Sequence, residues 1–298
     1  MLDEGTNIAA IFHLAGIVPV AGQPLDFNLP WHDSCIPIAS DYLAIERAVV
    51  ECAYAGCETI WIVCHDDMQP LIRHRIGEMI EDPVWLGRNM DPRPSETRKQ
   101  IPIYYVPIHP KDRDKRDCLG WSVLYGALVA YSISKKISTY VIPNRYYAAF
   151  PYGVYPPEVL RPHRKQISSN RPFILSFIDS TIKDGEYLGF TFDAEDFKRC
   201  RAKLRKEGTG RYVPGVGLTE KMLPIEKRWS ARHFPIEQVF SSLDLDGGLN
   251  VEVDWYFKID NWDDYCEYMG SEMRKGIKKP SKMVYSYKEW NPVGEDNG

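Results

Sequence analysis

The sequence predicts an α/β protein: a doubly wound, mixed but mainly parallel sheet with helices on both faces. Three observations predict it. Short apolar runs alternate with stretches at helical spacing through the first half of the chain. The run Thr59-Ile60-Trp61-Ile62-Val63-Cys64 is continuously apolar, as expected of a central parallel strand covered on both faces. Residues 7–64 read as strand, long loop, helix and strand, the opening unit of a nucleotide-binding α/β domain.

In chain order, Ile8-Ala9-Ala10-Ile11-Phe12 is the first expected strand, and the chain is expected to leave regular structure at Leu14-Ala15-Gly16. A polar, proline-rich loop runs to His32, followed by Cys35-Ile36-Pro37-Ile38-Ala39. Residues 41–55 carry Leu43, Ala44, Ala48, Val49, Cys52 and Ala55 at helical spacing, with Ser40 or Asp41 as N-cap and Gly56 as the left-handed terminator. After the strand at 59–64, a helix is expected over 68–80, then a loop over 81–100 with prolines 83, 92 and 94. Ile101-Pro102-Ile103-Tyr104-Tyr105-Val106 is the next strand. A mixed charge run at 111–117 reads as a solvated loop, and 119–133 as a strong helix with Gly120, Ser122, Gly126 and Ala127 on its early turns. Thr139-Tyr140-Val141-Ile142-Pro143 is the fourth expected strand, ending at Asn144-Arg145.

Residues 146–170, with four prolines and several tyrosines, read as an irregular excursion suited to a subunit contact. Strands resume at 173–177 and 187–192, separated by the turn signal Lys183-Asp184-Gly185. Asp193 caps a helix over 194–206 whose basic surface reads as a solvated face. The glycine-rich 207–218 follows a helix rather than a strand, which argues against a phosphate cradle. A short helix at 234–243, an alternating strand at 250–259 and a helix at 262–275 complete a single domain over 1–275, with a polar tail at 276–298.

Composition bounds the function classes. The chain has 298 residues (34.3 kDa), 44% hydrophobic and 26% charged, with net charge −4 and pI near 6.0. This balance suits a soluble globular domain and gives no basic footprint for nucleic acid. No apolar run approaches the ~20 residues that span a bilayer, and the acidic Met1-Leu2-Asp3-Glu4 lacks a secretory layout. Seven scattered cysteines (35, 52, 57, 64, 118, 200 and 266), with no zinc-like spacing, read as buried thiols of a reducing compartment. The expected location is the cytoplasm, of a cell or of a host if the chain is viral, or a virion.

Several phrases, in order, resemble the sugar-phosphate nucleotidyltransferases, which join a nucleoside triphosphate to a sugar 1-phosphate and release pyrophosphate. Ile11-Phe12-His13-Leu14-Ala15-Gly16 resembles that family's opening strand and Leu-Ala-Ala-Gly turn. Pro37-Ile38 and the phrase from Ile45-Glu46 to Ala55-Gly56-Cys57-Glu58-Thr59-Ile60-Trp61-Ile62-Val63 resemble its first helix and second strand. Residues 119–130 stand in the place of its Gly-Thr-Ala helix, Leu188-Gly189-Phe190-Thr191-Phe192-Asp193 resembles a later strand and cap, and 234–240 with 255–265 resemble its closing pattern. The likeness covers about 200 residues, the size of one domain. It implies a nucleotide-diphospho-sugar transferase-like fold, nucleoside triphosphate and sugar phosphate as partners, and magnesium as cofactor if the chain is active. It implies nucleotide contacts at Leu14, Ala15, Gly16, His109 and Ser122.

The site residues depart from that pattern. Gly16 is followed by Ile17-Val18-Pro19-Val20-Ala21-Gly22, with no arginine before Arg47, where the family has Gly-x-Gly-x-Arg. His32-Asp33 stands where the family has Pro-Lys, and Asn144 or Arg145 and Lys258 stand where it has metal-binding aspartates. A cationic side chain cannot ligate magnesium, which takes oxygen donors. Asp260 or Asp254 could substitute for Lys258, and Asp26 or Asp33 could reach a metal. With no metal site assigned, Arg145 and Lys258 become candidate phosphate ligands. Asp66-Asp67 reads as a helix N-cap and Asp244-x-Asp246-Gly247-Gly248 as a turn rather than metal loops; His65 and His74 share no ligand spacing with His109. Two readings follow: a nucleotidyltransferase acting on a sugar phosphate, or a catalytically silent relative kept as a binding or assembly module, with a protein partner or homo-oligomer, no nucleic acid and no membrane.

Overall fold

A computed structural model describes residues 12–22, 27, 29–86, 100–109, 112, 118–208, 212–213, 218–219 and 234–280. The expectations for residues 8–11, Asp26, most of the charge run at 111–117, most of the glycine-rich 207–218 and the tail from 281 lie outside the described residues. The strands are β1 (Leu14–Pro19), β2 (Pro37–Ala39), β3 (Tyr42–Leu43), β4 (Thr59–Cys64), β5 (Met79–Glu81), β6 (Gln100–Pro107), β7 (Arg145–Ala148), β8 (Gly153–Val154), β9 (Phe173–Ser176), β10 (Phe190–Phe192), β11 (Tyr212–Val213), β12 (Leu218–Thr219), β13 (Leu249–Glu252) and β14 (Phe257–Lys258). The helices are α1 (Ala44–Ala55), α2 (Gln69–Ile76), α3 (Pro83–Leu86), α4 (Leu119–Ile137), α5 (Arg164–Ile167), α6 (Ala194–Gly208), α7 (Ile236–Phe240) and α8 (Trp262–Gly270).

Eight strands form one sheet in the order β13-β9-β10-β7-β1-β4-β6-β5. The pairs β1–β4, β1–β7, β4–β6 and β9–β13 are parallel; β10 runs antiparallel to β7 and β9, and β5 to β6. The sheet is therefore mixed and mainly parallel, as the apolar runs predict. Successive residues of a strand face opposite sides, and the core divides accordingly. Leu14, Val18, Ile60 and Ile62 pack with α1, α2 and α8 on one face; Ala15, Ile17, Trp61 and Val63 pack with α4, α6 and α7 on the other.

The structure corrects several boundaries. Leu14-Ala15-Gly16 is not a turn but the start of β1, buried between β4 and β7. Gly16 is needed inside the strand because a Cβ there would stand 2.8 Å from Cys52 Sγ and 2.9 Å from Cys52 Cβ on α1. Helix α1 begins at Ala44, not Asp41: Ser40-Asp41 makes the turn between β2 and β3, and the Glu46 carboxylate accepts from the Leu43 amide at 2.8 Å. Gly56 terminates α1 in the left-handed region, as expected. The helix expected over 68–80 stops at Ile76, and Met79–Glu81 becomes the edge strand β5. Residues 139–141 form a 3-10 turn, and the fourth strand lies instead at Arg145–Ala148.

The expected excursion at 146–170 is mostly core. It contains the last three residues of β7, all of β8, a 3-10 helix (Pro157–His163) and α5, and Tyr147, Tyr152 and Tyr155 are fully buried. The strand expected over 250–259 is divided between β13 and β14. Among the described residues no helix is long and apolar enough to cross a membrane. Five cysteines are buried, Cys35 is half-buried and Cys266 is exposed, all as free thiols.

Candidate functional site

The order β6-β4-β1-β7 reverses direction of progression at β1, and a crevice beyond the carboxyl ends of strands at such a switch point is where open α/β sheets bind ligands. Its rim is made by the residues after β1 (Val20, Ala21, Gly22), after β4 (His65, Asp66, Asp67), after β6 (Ile108, His109) and after β7 (Ala149, Phe150, Pro151, Tyr152).

The turn after β1 is held from three directions. The Val20 and Ala21 amides both donate to the Val63 carbonyl at 2.8 Å, the Ala149 amide donates to the Ile17 carbonyl at 3.0 Å, and the buried Ser122 hydroxyl donates to the Ala21 carbonyl. With two amides committed to β4, this turn does not offer the row of donors that a phosphate-cradling loop presents. Ser122 thus supports the turn through its carbonyl.

Beneath the segment after β7 lies a buried charged network. Arg47 and Glu51, one turn apart on α1 and both fully buried, are paired at 2.8 Å. Arg47 also donates to the Phe150 carbonyl at 2.6 Å and stacks over the Tyr155 ring at 4.7 Å. The other Glu51 oxygen accepts from the hydroxyls of Tyr147 (2.7 Å) and Tyr155 (2.5 Å). Burial pushes the Glu51 carboxyl above its ordinary value; Arg47 and the two hydroxyls oppose that push. The network fixes the backbone where the chain leaves β7 and enters the crevice.

Directly after the rim residues that follow β7, β8 pairs with β14, which sets Lys258 against Gly153. Gly153 is required there, since a Cβ would run into the Tyr187 carbonyl. Lys258 Nζ pairs with Asp260 at 2.9 Å and lies 5.3 Å from the centre of the Tyr187 ring. Tyr187 in turn packs against Phe150 and Tyr152, with ring centres 5.8 and 6.0 Å away. Burial first, then Asp260, pushes the Tyr187 phenol up; burial first, then Asp33 and Cys35, does the same for Tyr152. Both phenols are therefore neutral across the physiological range.

The expected site residues separate. Lys258 and, at the exposed end of β6, His109 lie on the crevice side; Ser122 lies behind it. Leu14, Ala15 and Gly16 are inside β1, so the glycine-bearing turn at the strand end is Val20-Ala21-Gly22, six residues further on. Arg145 pairs with Leu14 in the sheet register, at the end opposite the crevice, where it donates to the Asn170 carbonyl at 2.7 Å and faces Asp193 at 3.5 Å. Arg145 and Lys258 therefore do not form one phosphate site. Asn144 ties β7 to the start of β1, its amide on the His13 carbonyl and its side chain accepting from the His13 amide. Asp67 accepts from the Met68 amide just before α2, and Asp244 accepts from the Asp246 amide in a turn.

Sequence reasoning passed over Asp260 as a partner of Lys258, and Tyr187, Phe150 and the Arg47–Glu51 pair altogether. The i, i+4 spacing of Arg47 and Glu51 was visible, but it does not distinguish a buried pair from a surface one. A second Ala-Gly dipeptide, Ala21-Gly22, also stood in the sequence just before the proline-rich loop.

The magnesium expected by resemblance meets an unsuitable donor set. Lys258 is a cation already paired to Asp260, and among the described residues no group of three or more His, Cys, Asp or Glu is placed to hold a metal.

The fold is that of the sugar nucleotidyltransferases. A Bacillus anthracis protein named as a glucose-1-phosphate thymidylyltransferase, solved in complex with a sucrose, superposes with a TM-score of 0.53 at 9% identity, covering 89% of this chain and 97% of that one. A UDP-glucose pyrophosphorylase complexed with UDP-glucose superposes with a TM-score of 0.50 at 12% identity, covering 89% and 100%. No family model matches the sequence, and no curated protein does.

Proposed function

We propose that this chain is a nucleotidyltransferase-like protein that binds the phosphates of a nucleoside triphosphate or nucleotide sugar at the switch-point crevice, with Lys258 providing the positive charge that a divalent ion would otherwise bring. The observation that supports this most is the Lys258–Asp260 pair over Tyr187, set against Gly153 at the crevice wall. A one-third exposed ammonium on a rigid strand, held by a carboxylate, can release that partner in exchange for a more highly charged phosphate.

On this reading the transfer chemistry is attack of a sugar-phosphate oxygen on the α-phosphorus, with pyrophosphate leaving. The chain contributes positioning and charge neutralisation. The buried network under Phe150 keeps the crevice wall in one geometry.

The test is thermal unfolding with millimolar nucleoside triphosphates, UDP-glucose and dTDP-glucose, each in EDTA and in magnesium. A ligand at 100 times its Kd stabilises the folded state by about 2.7 kcal/mol. At roughly 2–4 °C per kcal/mol that raises Tm by about 5–10 °C. The expected result is such a shift in EDTA for at least one nucleotide, lost in Lys258→Glu. No shift with any nucleotide would overturn the reading. Pyrophosphate release in EDTA would establish transfer; binding without release would make the chain a silent relative.

A further inference from the structure

Two of the seven cysteines are brought together by the way α1 ends. Gly56, in the left-handed region, closes the helix with two reversed hydrogen bonds. Its own amide donates to the Ala53 carbonyl at 3.2 Å, and the Cys57 amide donates to the Cys52 carbonyl at 3.1 Å. In this kind of helix ending the residue after the glycine folds back over the residue five positions earlier, and their side chains make an apolar contact. Here both residues are cysteine. The shared peptide hydrogen bond keeps their Cα atoms inside the span of about 4.4–6.8 Å that a disulfide takes.

The sulfurs converge as well. Both side chains are fully buried beside β1, where a Cβ on Gly16 would stand 2.8 Å from Cys52 Sγ and 3.1 Å from Cys57 Sγ. Two sulfurs that crowd the same point are neighbours of each other. Burial first, then the hydrogen bond with the Cys57 thiol, pushes the Cys52 thiol well above its ordinary value. Cys118 and Cys200 instead have their sulfurs on the Trp121 amide and the Ser242 hydroxyl. An apolar contact at the end of α1 needs only aliphatic side chains; two thiols in that place add a redox chemistry that those would lack.

We propose that Cys52 and Cys57 are a latent disulfide, a site at which peroxide reversibly cross-links the last turn of α1 to the segment entering β4. One thiol sulfur attacks a peroxide oxygen, giving a sulfenic acid and a water; the second sulfur then displaces water from that acid and forms the S–S bond. The pair gives up two electrons and two protons, and one hydrogen peroxide becomes two waters. Oxidant reaches the buried thiols only when the turn at Gly56 opens, so the pair reacts more slowly than the exposed Cys266. Contact between the sulfurs then captures the sulfenic acid before a second peroxide can take it to the irreversible sulfinic acid.

The full chain carrying Cys266→Ser, which removes the exposed thiol, is treated with millimolar hydrogen peroxide for a day, and its mass and its thiols in denaturant are followed. The expected result is a loss of about 2 Da and of two thiols, located by digestion to the peptide that holds both residues and reversed by dithiothreitol. Adding Cys57→Ser or Cys52→Ala should abolish the cross-link and leave the remaining thiol to gain oxygen instead. Survival of every thiol, oxygen gained at Cys52 or Cys57 without a cross-link in the parent protein, or a disulfide that persists in Cys57→Ser would each overturn the pair. Should either added substitution prevent folding, the parent protein decides alone: the cross-linked peptide supports the pair, and its absence overturns it.

Discussion

Replacing Glu51 by Gln probes the buried network that shapes the crevice wall. The substitution keeps the side chain's size and an oxygen for the Tyr147 and Tyr155 hydroxyls, but removes the charge facing Arg47. Arg47 is fully buried and its guanidinium remains ionised, so the variant carries an uncompensated interior cation, with an amide N–H₂ set against Arg47 N–H if the tyrosine bonds are kept. Breaking a buried pair from one side costs about 3–5 kcal/mol, because the remaining charge keeps its desolvation penalty. That is a large share of the roughly 5–15 kcal/mol that holds a folded protein together, and it lowers Tm by roughly 6–20 °C. Urea unfolding followed by tryptophan fluorescence should show a lower midpoint with an unchanged m-value. The double variant Arg47→Met/Glu51→Gln, which removes both charges, should recover part of the loss, since the pair acts as a unit. A loss below about 1 kcal/mol in Glu51→Gln, the range of surface pairs, would refute the reasoning.

Three further outcomes follow from packing, hydrogen bonding and titration. Gly16→Ala should cost about 1–3 kcal/mol by overpacking β1 against Cys52, and adding Cys52→Ala should return part of it in the same urea melts. Ser122→Ala leaves the Ala21 carbonyl without its hydroxyl donor and should cost about 1–3 kcal/mol, with weaker nucleotide binding because the turn after β1 loses a tether. His13 has its pKa lowered by burial, an effect that the nearby Glu58 only partly opposes. The unfolded chain then binds that proton more readily than the folded one. Stability should therefore fall as pH drops below about 6.5 towards the lowered folded value. His13→Gln should flatten the pH profile in that window.

The sequence carried the fold further than the site. β4 was legible to the residue because a strand covered on both faces shows an unbroken apolar run, and Gly56 was legible because a helix end in the left-handed region favours glycine. β1 was displaced because Gly16 and Pro19 look like punctuation; in the structure Gly16 serves the close approach of α1, and Pro19 ends the strand. β7 was hidden for a related reason. Its tyrosines and the prolines after it look like a surface loop, whereas Tyr147 and Tyr155 are turned inward by Glu51, a partner about a hundred residues away in sequence. With Tyr146, Tyr147, Tyr152 and Tyr155 buried, the tyrosines of 146–170 do not form the expected contact surface. The departures at the site were legible as residue types, Lys258 above all. Their grouping was not, because the end of the sheet that each residue reaches depends on strand register: Arg145 and Lys258 share a charge but not a place.

Lys258 in the role of the divalent ion is the central claim. Titration calorimetry of wild type with the nucleotide that gives the largest thermal shift, once in EDTA and once in millimolar magnesium, tests it most directly. The account predicts a Kd in EDTA within about threefold of that in magnesium, under 1 kcal/mol by the affinity relation, together with loss of binding in Lys258→Glu. Binding that appears only when magnesium is present, and that survives Lys258→Glu, would contradict it.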